Sequence, residues 1–152
     1  MIKINIQYKC KRNKNIPSKK NIKKWIKKLL KNSFKKSIIT IRIVKKYEIK
    51  KINYKYRKQK IATNILTFSI FKDKKKKLLL IGDLIICKKI LQQEAKKYNT
   101  EILEYWAHII IHGILHLIGY KHENLLNQQK MEKLEIKTML DLGFKNPYFY
   151  NK

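Results

Sequence analysis

Apolar residues recur along this chain with two different spacings. Alternating positions or short apolar runs, which are typical of β-strands, occupy residues 2–8, 39–43, 64–70 and 78–87. Apolar residues at helical spacing occupy residues 22–30, 47–53, 88–98, 100–118 and 123–142. Because strands and helices intermix without repeats or a linker, the pattern predicts a single α+β domain over residues 1–152, with a mixed β-sheet of about four strands packed with helices.

Two glycines mark expected irregularities in this pattern. Gly82 interrupts the fourth predicted strand, where we expect a bulge or the close approach of another segment. Gly143 follows the last predicted helix and is typical of a residue that ends a helix in a left-handed conformation.

The composition excludes several classes of protein. No apolar stretch approaches the roughly 20 residues that a membrane span needs, and the N-terminal pattern is that of a strand, not of a secretion signal. Cys10 and Cys87 form no C-x-x-C pair, so neither a disulfide-linked partner nor a thiolate metal site is expected. We therefore expect a cytoplasmic protein that makes no contact with membranes.

The charge points to a class of partner. The formal net charge is +28, and a surface this cationic attracts polyanions through phosphate contacts and counterion release. However, 35 of the 38 basic residues are Lys, in a chain also rich in Ile and Asn, and mutational drift toward a few residue types would look the same. Charge alone therefore raises the hypothesis of RNA binding without establishing it.

The four histidines carry the most specific chemical signal. All lie between positions 108 and 122, and three follow the pattern H-x-x-x-H-x-x-G-x-x-H. His112 and His116 are four residues apart, so a helix places both rings on one face. Gly119 can end that helix and turn the chain so that His122 approaches the same point. Three imidazoles leave a fourth tetrahedral position open, so we predict that His112, His116 and His122 bind one metal ion, with zinc as the first choice and nickel or another borderline metal as the alternative.

Two neighbouring residues refine this prediction. His108 lies too far along the helix from His116 to be a ligand, and we expect it to support the site from behind or to belong to the core. Gly113 stands where metalloproteases of this spacing carry their general-base Glu, which disfavours a peptidase. Because Gly inside a helix costs about 1 kcal/mol relative to Ala, we expect Gly113 to keep space free beside the ion.

The same segment resembles a known family. Residues 112–122 read HGILHLIGYKH and resemble the H-G-x-L-H-L-x-G-Y-D-H motif of the YbeY family. Residues 56–57 with 63–68 resemble its Y-R and T-[DN]-V-L-S-F segments, and residues 82–87 its G-D-I-x-I-C segment. Residues 131–144 and 147–148 resemble its closing helix and tail, so the resemblance spans residues 47–148. The chain departs from the family at Lys121, usually Asp, and at Ala62, where Pro is common; the Lys could weaken metal binding.

The resemblance implies a zinc-dependent, single-strand-specific endoribonuclease of the bacterial cytoplasm. Such an enzyme matures the 3′ end of 16S rRNA and serves in ribosome quality control, with rRNA and the small ribosomal subunit as partners. The three histidines would be its metal ligands, with His112 also counted among the catalytic residues. The family's functional arginine falls on Arg57, which we expect to bind RNA and assist catalysis. In a chain that otherwise uses Lys, an Arg suggests a bidentate grip on phosphate.

The implied mechanism leaves one question open and has two alternatives. The metal would polarise the scissile phosphate or activate a water, while Arg57 and nearby Lys side chains neutralise charge on the phosphoryl oxygens. The sequence positions no obvious carboxylate base, so the nucleophile, a water or the 2′-hydroxyl of the RNA, stays open. One alternative is a ribosome-associated RNA-binding assembly factor with a structural zinc, which the open coordination position disfavours. The other is a metallopeptidase, which Gly113 disfavours.

Overall fold

A computed structural model describes residues 1–11 and 15–149 of the chain, and its elements follow the predicted order. The strands are β1 (Ile2–Tyr8), β2 (Lys36–Val44), β3 (Ile65–Lys72) and β4 (Leu79–Cys87). The helices are α1 (Lys19–Leu30), α2 (Lys46–Arg57), α3 (Lys88–Lys97), α4 (Ile102–Ile118) and α5 (Leu125–Asp141). Among the described residues, no helix has the length and apolar character that crossing a bilayer requires.

The four strands form one mixed sheet in the order β1-β2-β4-β3. β1 pairs with β2, and β2 with β4, in parallel, whereas β3 pairs with β4 in antiparallel orientation. The prediction of an α+β domain with a mixed sheet of four strands and a three-histidine cluster at the central helix is confirmed. Parallel neighbours need a long crossover, and α1 supplies the one between β1 and β2.

The two faces of the sheet are covered unequally. Alternate residues of a strand point to opposite faces, and in β2 the side chains of Ile39, Ile41 and Ile43 all enter the larger core with α1, α3, α4 and α5. The next residue, Val44, faces the other way and packs with Ile49 of α2 in a smaller cluster. The larger core is therefore the layer that holds α4.

α4 is the helix most deeply placed in this layer. Eleven of its 17 residues are buried, including Trp106, which is fully enclosed. A helix that is apolar on most of its circumference fits only between other elements, and α4 contacts the sheet on one side and α1, α3 and α5 on others. Its side chains are thus held in place by packing along almost the whole helix.

Gly82 allows α4 to approach the sheet closely. A Cβ atom at Gly82 would lie 2.8 Å from Cδ1 of Leu117, near the end of α4. The expected close approach is therefore present, but β4 runs through Gly82 without a break. The bulge lies in the partner strand, because the register of β3 shifts between Ser69, opposite Gly82, and Phe71, opposite Ile81.

Substitutions at this contact test the packing of α4 on the sheet. We expect Gly82→Val to lower the free energy of unfolding by about 1–3 kcal/mol, because the new side chain competes for the space of Leu117. Leu117→Ala should lower it by about 2–5 kcal/mol by leaving a cavity. In the double variant valine fills part of that cavity, so the combined loss should be smaller than the two single losses together. Urea unfolding of the four proteins measures this, and strictly additive losses would contradict the contact.

Candidate metal centre and cleft

The end of α4 is built to turn the chain sharply. Gly119 follows the helix with φ +126°, a left-handed conformation that L side chains rarely adopt. The N–H of Tyr120 donates to the carbonyl of Leu115 at 3.0 Å, and the N–H of Gly119 donates to that of His116 at 3.1 Å. These two bonds form a Schellman motif, which satisfies the last carbonyls of the helix. The predicted glycine bend after the second histidine is therefore observed.

A lysine from the sheet completes the end of this helix. Nζ of Lys72, in β3, donates to the carbonyl of Ile118 at 3.1 Å. A cation at a helix C-terminus is favourable because the helix dipole is negative there. Burial lowers the pKa of Lys72 from its ordinary value, and the nearby Lys74, Lys77 and Lys121 lower it further. The bend that carries the third histidine is thus tied to the sheet.

The bend brings the three histidines together. The candidate ligand atoms of His112, His116 and His122 all lie within 4.8 Å of one another. Nε2 of His112 and Nε2 of His116 are 3.0 Å apart, and the ring centre of His122 is 4.9 Å from that of His116. Two ligands of a tetrahedral zinc ion would lie about 3.3 Å apart, given bonds of 2.0–2.1 Å. The cluster therefore has the spacing and the nitrogen donors that a single metal ion needs.

Hydrogen bonds behind the rings determine which nitrogen faces the cluster. Nδ1 of His116 donates to the carbonyl of Tyr120 at 3.0 Å, so in the neutral ring the lone pair lies on Nε2. Nδ1 of His112 lies 3.2 Å from Oε1 of Glu135 and donates to it. Burial lowers the pKa of His116, and the charges of His112 and His122 lower it further. This ring therefore favours the neutral form, which is the form that binds metals.

Glu135 is a carboxylate that the sequence had not drawn attention to. It lies in α5, is 1% exposed, and also accepts hydrogen bonds at Oε2 from Nε2 of His108 at 2.6 Å and from the hydroxyl of Tyr148 at 2.7 Å. Burial raises the pKa of Glu135, but the hydrogen bonds from His108 and His112 outweigh it and lower the pKa to about 2. The carboxylate is therefore ionised at neutral pH and acts only as an acceptor.

The position of His108 agrees with the prediction, whereas that of Gly113 does not. His108 is buried and stands outside the cluster, bonded to Glu135 as an expected supporting residue. The expectation that Gly113 keeps space free beside an ion is wrong. A Cβ atom there would lie 2.8 Å from Cδ1 of Ile65 and 3.0 Å from Cδ2 of Leu84, so Gly113 lets α4 approach β3 and β4.

Arg57 lies in the same cleft as the histidines. This cleft of about 500 Å³ is lined by the three clustered histidines together with Arg57, residues 63–67 and Tyr148. Nη2 of Arg57 donates to the carbonyl of Thr67 at 2.9 Å, and its guanidinium carbon lies 5.0 Å from the ring centre of Phe68. These contacts with β3 hold an exposed guanidinium group, with donors to spare, at the wall of the cleft.

Lys121, the residue that replaces the family's usual Asp, has an exposed side chain and does not line the cleft. Its side chain is 66% exposed, and its Nζ lies 3.8 Å from Oε1 of the equally exposed Glu123. An ion pair this open to solvent contributes little to stability. The substitution therefore leaves the two hydrogen bonds behind His112 and His116 intact.

The sequence contained a weak signal for Glu135. Met131, Thr138 and Met139 are buried on the same face of α5 as Glu135, and their spacing of three and four residues is visible in the chain. An acidic residue on the apolar face of a helix needs a partner in the interior. Which partner it meets depends on the packing of α5 against α4, and the hydroxyl of Tyr148 gave no comparable signal.

The fold and the site define a class of protein. It is an α+β domain whose central helix and following bend form a three-histidine cluster, able to hold one metal ion, in the wall of a cleft. The chain belongs to the YbeY family, since the family model described as endoribonuclease YbeY matches residues 5–143.

Individual relatives agree with this assignment. An endoribonuclease YbeY of Buchnera aphidicola subsp. Acyrthosiphon pisum is 52% identical over 145 residues, covering 95% of this chain and 94% of the relative. Another, from Buchnera aphidicola subsp. Baizongia pistaciae, is 50% identical and covers 98% of this chain and 97% of its own. The solution structure of TM1509 from Thermotoga maritima superposes with a TM-score of 0.61 at 25% identity, covering 94% of this chain and 92% of that one.

A pair of glycine substitutions tests the role of the bend. Gly119 and Gly143 both follow a helix and both have a positive φ, +126° and +90°. Alanine at either position should lower the free energy of unfolding by about 1–3 kcal/mol through backbone strain. Only Gly119→Ala should also weaken metal binding, because only that residue aims the segment carrying His122. Isothermal titration with Zn²⁺ on the folded variants measures this, and equal affinities would show that the bend does not matter.

Proposed function

We propose that this chain is a zinc-dependent, single-strand-specific endoribonuclease that matures the 3′ end of 16S rRNA. His112, His116 and His122 are its zinc ligands, and Arg57 grips the RNA phosphate. Membership of a family of metal-dependent endoribonucleases supports the RNA substrate. We further propose that it works in the cytoplasm on the small ribosomal subunit and takes part in ribosome quality control.

One observation gives the main support for the proposed metal site. Nε2 of His112 and Nε2 of His116 face each other at 3.0 Å, while the Nδ1 atom of each ring already donates to an oxygen. In neutral rings both facing nitrogens carry lone pairs, and two lone pairs at this distance repel. A cation between them removes the repulsion, and imidazole nitrogens suit zinc. The cluster therefore fits a metal by its chemistry as well as by its spacing.

The position of Arg57 supports a phosphodiester substrate. The guanidinium group stands in the wall of the same cleft as the histidines and has N–H groups beyond the one that bonds Thr67. A planar guanidinium can donate two parallel hydrogen bonds to one phosphate. Arg57 would thus hold the phosphate beside the cluster and neutralise charge that develops on its oxygens.

The remaining chemistry of the cleft disfavours a peptidase. When bound, the metal supplies a Lewis acid that polarises a phosphoryl oxygen and favours attack on phosphorus. Among the described residues that line the cleft there is no carboxylate, and Glu135 lies behind His112 with both oxygens already accepting hydrogen bonds. A metallopeptidase of this spacing needs a glutamate base beside its ligands. The exposed ring of His122 likewise favours a reactive site over a structural zinc.

Replacing a ligand tests the proposed zinc enzyme. We expect His116→Ala to bind zinc weakly and to show no measurable cleavage of a single-stranded rRNA precursor. The wild-type protein, stripped by a chelator and then given Zn²⁺ back, controls for loss of fold. The same RNA annealed to its complement should be cut far more slowly. Full cleavage by metal-free wild-type protein, or by His116→Ala, would refute the proposal, and retardation of RNA without shortening would favour the assembly-factor alternative.

Replacing the arginine separates phosphate binding from metal binding. Arg57→Lys keeps the charge but loses the planar pair of donors, so kcat/KM for RNA should fall by roughly 10–100-fold while zinc affinity stays unchanged. Arg42→Lys is a matched control, because Arg42 is occupied with Glu48 and Gln7 in a different groove. A rate equal to wild type in Arg57→Lys would exclude the proposed bidentate contact.

A further inference from the structure

Glu135 connects α4, which carries His108 and His112, to the segment that follows α5. Its Oε1 atom accepts from His112, and its Oε2 atom accepts from His108 and from Tyr148 in the segment after α5. The side chain is 1% exposed, so water does not compete for these bonds. Three donors from two parts of the chain thus converge on one buried carboxylate.

This arrangement determines which ring nitrogen of neutral His112 carries the hydrogen. An ionised carboxylate can only accept, so the hydrogen of the neutral His112 ring must lie on Nδ1. The lone pair then lies on Nε2, the atom that is 3.0 Å from Nε2 of His116. If the hydrogen moved to Nε2, His112 could no longer bind a metal through that nitrogen.

Hydrogen bonds at Oε2 hold the carboxylate of Glu135 in position. The bond from His108 measures 2.6 Å and that from Tyr148 measures 2.7 Å, and both reach the oxygen that His112 does not use. The rings of His108 and Tyr148 also meet edge to face, with centres 5.4 Å apart. Glu135 therefore cannot rotate away from His112 without breaking two short hydrogen bonds.

We propose that Glu135 is a positioning residue for the metal site, holding His112 in the tautomer that presents Nε2 to the ion, and that His108 and Tyr148 lock it in place. The inference rests on the proposed function, because it assumes that the three histidines bind zinc. Outer carboxylates that accept from a metal-binding imidazole raise its basicity and fix its ring, and losing one typically weakens metal binding about 10–100-fold.

Two matched substitutions in α5 test this role. Glu135→Gln keeps the size of the side chain but replaces one acceptor oxygen with a donor, so the dissociation constant for Zn²⁺ should rise by about 10–100-fold. Glu132→Gln makes the same change one turn earlier, at a residue that accepts a hydrogen bond from Gln128, and should change the constant by less than about twofold. Competition with a chromophoric chelator measures the constants on the purified full-length proteins.

A second measurement tests the inference on the wild-type protein itself. Nitrogen-15 NMR of the histidine rings in metal-free wild-type protein should show His112 with its hydrogen on Nδ1, and this population should fall in Glu135→Gln. A merely structural role would lower the melting temperature without changing the tautomer. His112 carrying its hydrogen on Nε2 in the wild-type protein would overturn the inference, even if Glu135→Gln fails to fold.

The outcomes distinguish this inference from the function on which it rests. If the wild-type protein does not bind Zn²⁺, both fail. If the wild-type protein binds Zn²⁺ and Glu135→Gln binds it equally well, the positioning role fails and the zinc site stands.

Discussion

The site depends on one constraint: Nε2 of His112 and Nε2 of His116 are held 3.0 Å apart, facing each other. Two such nitrogens repel when both rings are neutral, and a hydrogen bond behind each ring holds it in this position. A backbone carbonyl holds His116 and a buried carboxylate holds His112. A cation is the natural complement of this arrangement, and the bend at Gly119 brings a third nitrogen to the same point.

Much of the surrounding structure serves to keep α4 in place. Gly113 and Gly82 allow the helix to lie against β3 and β4. Lys72 of β3 donates a hydrogen bond to the carbonyl of Ile118 in the last turn of the helix. Close packing of this kind resists small displacements, since interiors are nearly as dense as organic crystals. Arg57 is anchored to the same strand, because its guanidinium group donates a hydrogen bond to the carbonyl of Thr67. The histidines and the arginine are therefore both positioned relative to β3, which favours a fixed distance between the histidine cluster and the guanidinium group of Arg57.

The sequence predicted those features that depend on local spacing. The four-residue step from His112 to His116 and the glycine before His122 were sufficient to predict the cluster, because helical geometry and a left-handed bend determine where nearby residues point. The strands and helices followed from their periods, and their ends differed from the observed bounds by a few residues at most sites. The metal identity and the role of Arg57 stay predictions.

The sequence did not predict what depends on packing between distant segments. Gly113 was misinterpreted because its neighbours, Ile65 and Leu84, belong to strands far away in the chain. Glu135 was missed for the same reason, since it meets His112 across 23 positions. The net charge of +28 indicated a polyanionic partner but did not locate the site, because most of the charge lies on exposed Lys side chains, whereas one arginine lines the cleft.

The most direct measurement is an anomalous difference map at the zinc absorption edge, from crystals of the protein grown with Zn²⁺. We expect one peak at about 2.0–2.1 Å from Nε2 of His112, Nε2 of His116 and one ring nitrogen of His122, with solvent in a fourth position. A peak elsewhere, or three rings that face apart around an empty centre, would contradict the proposed site.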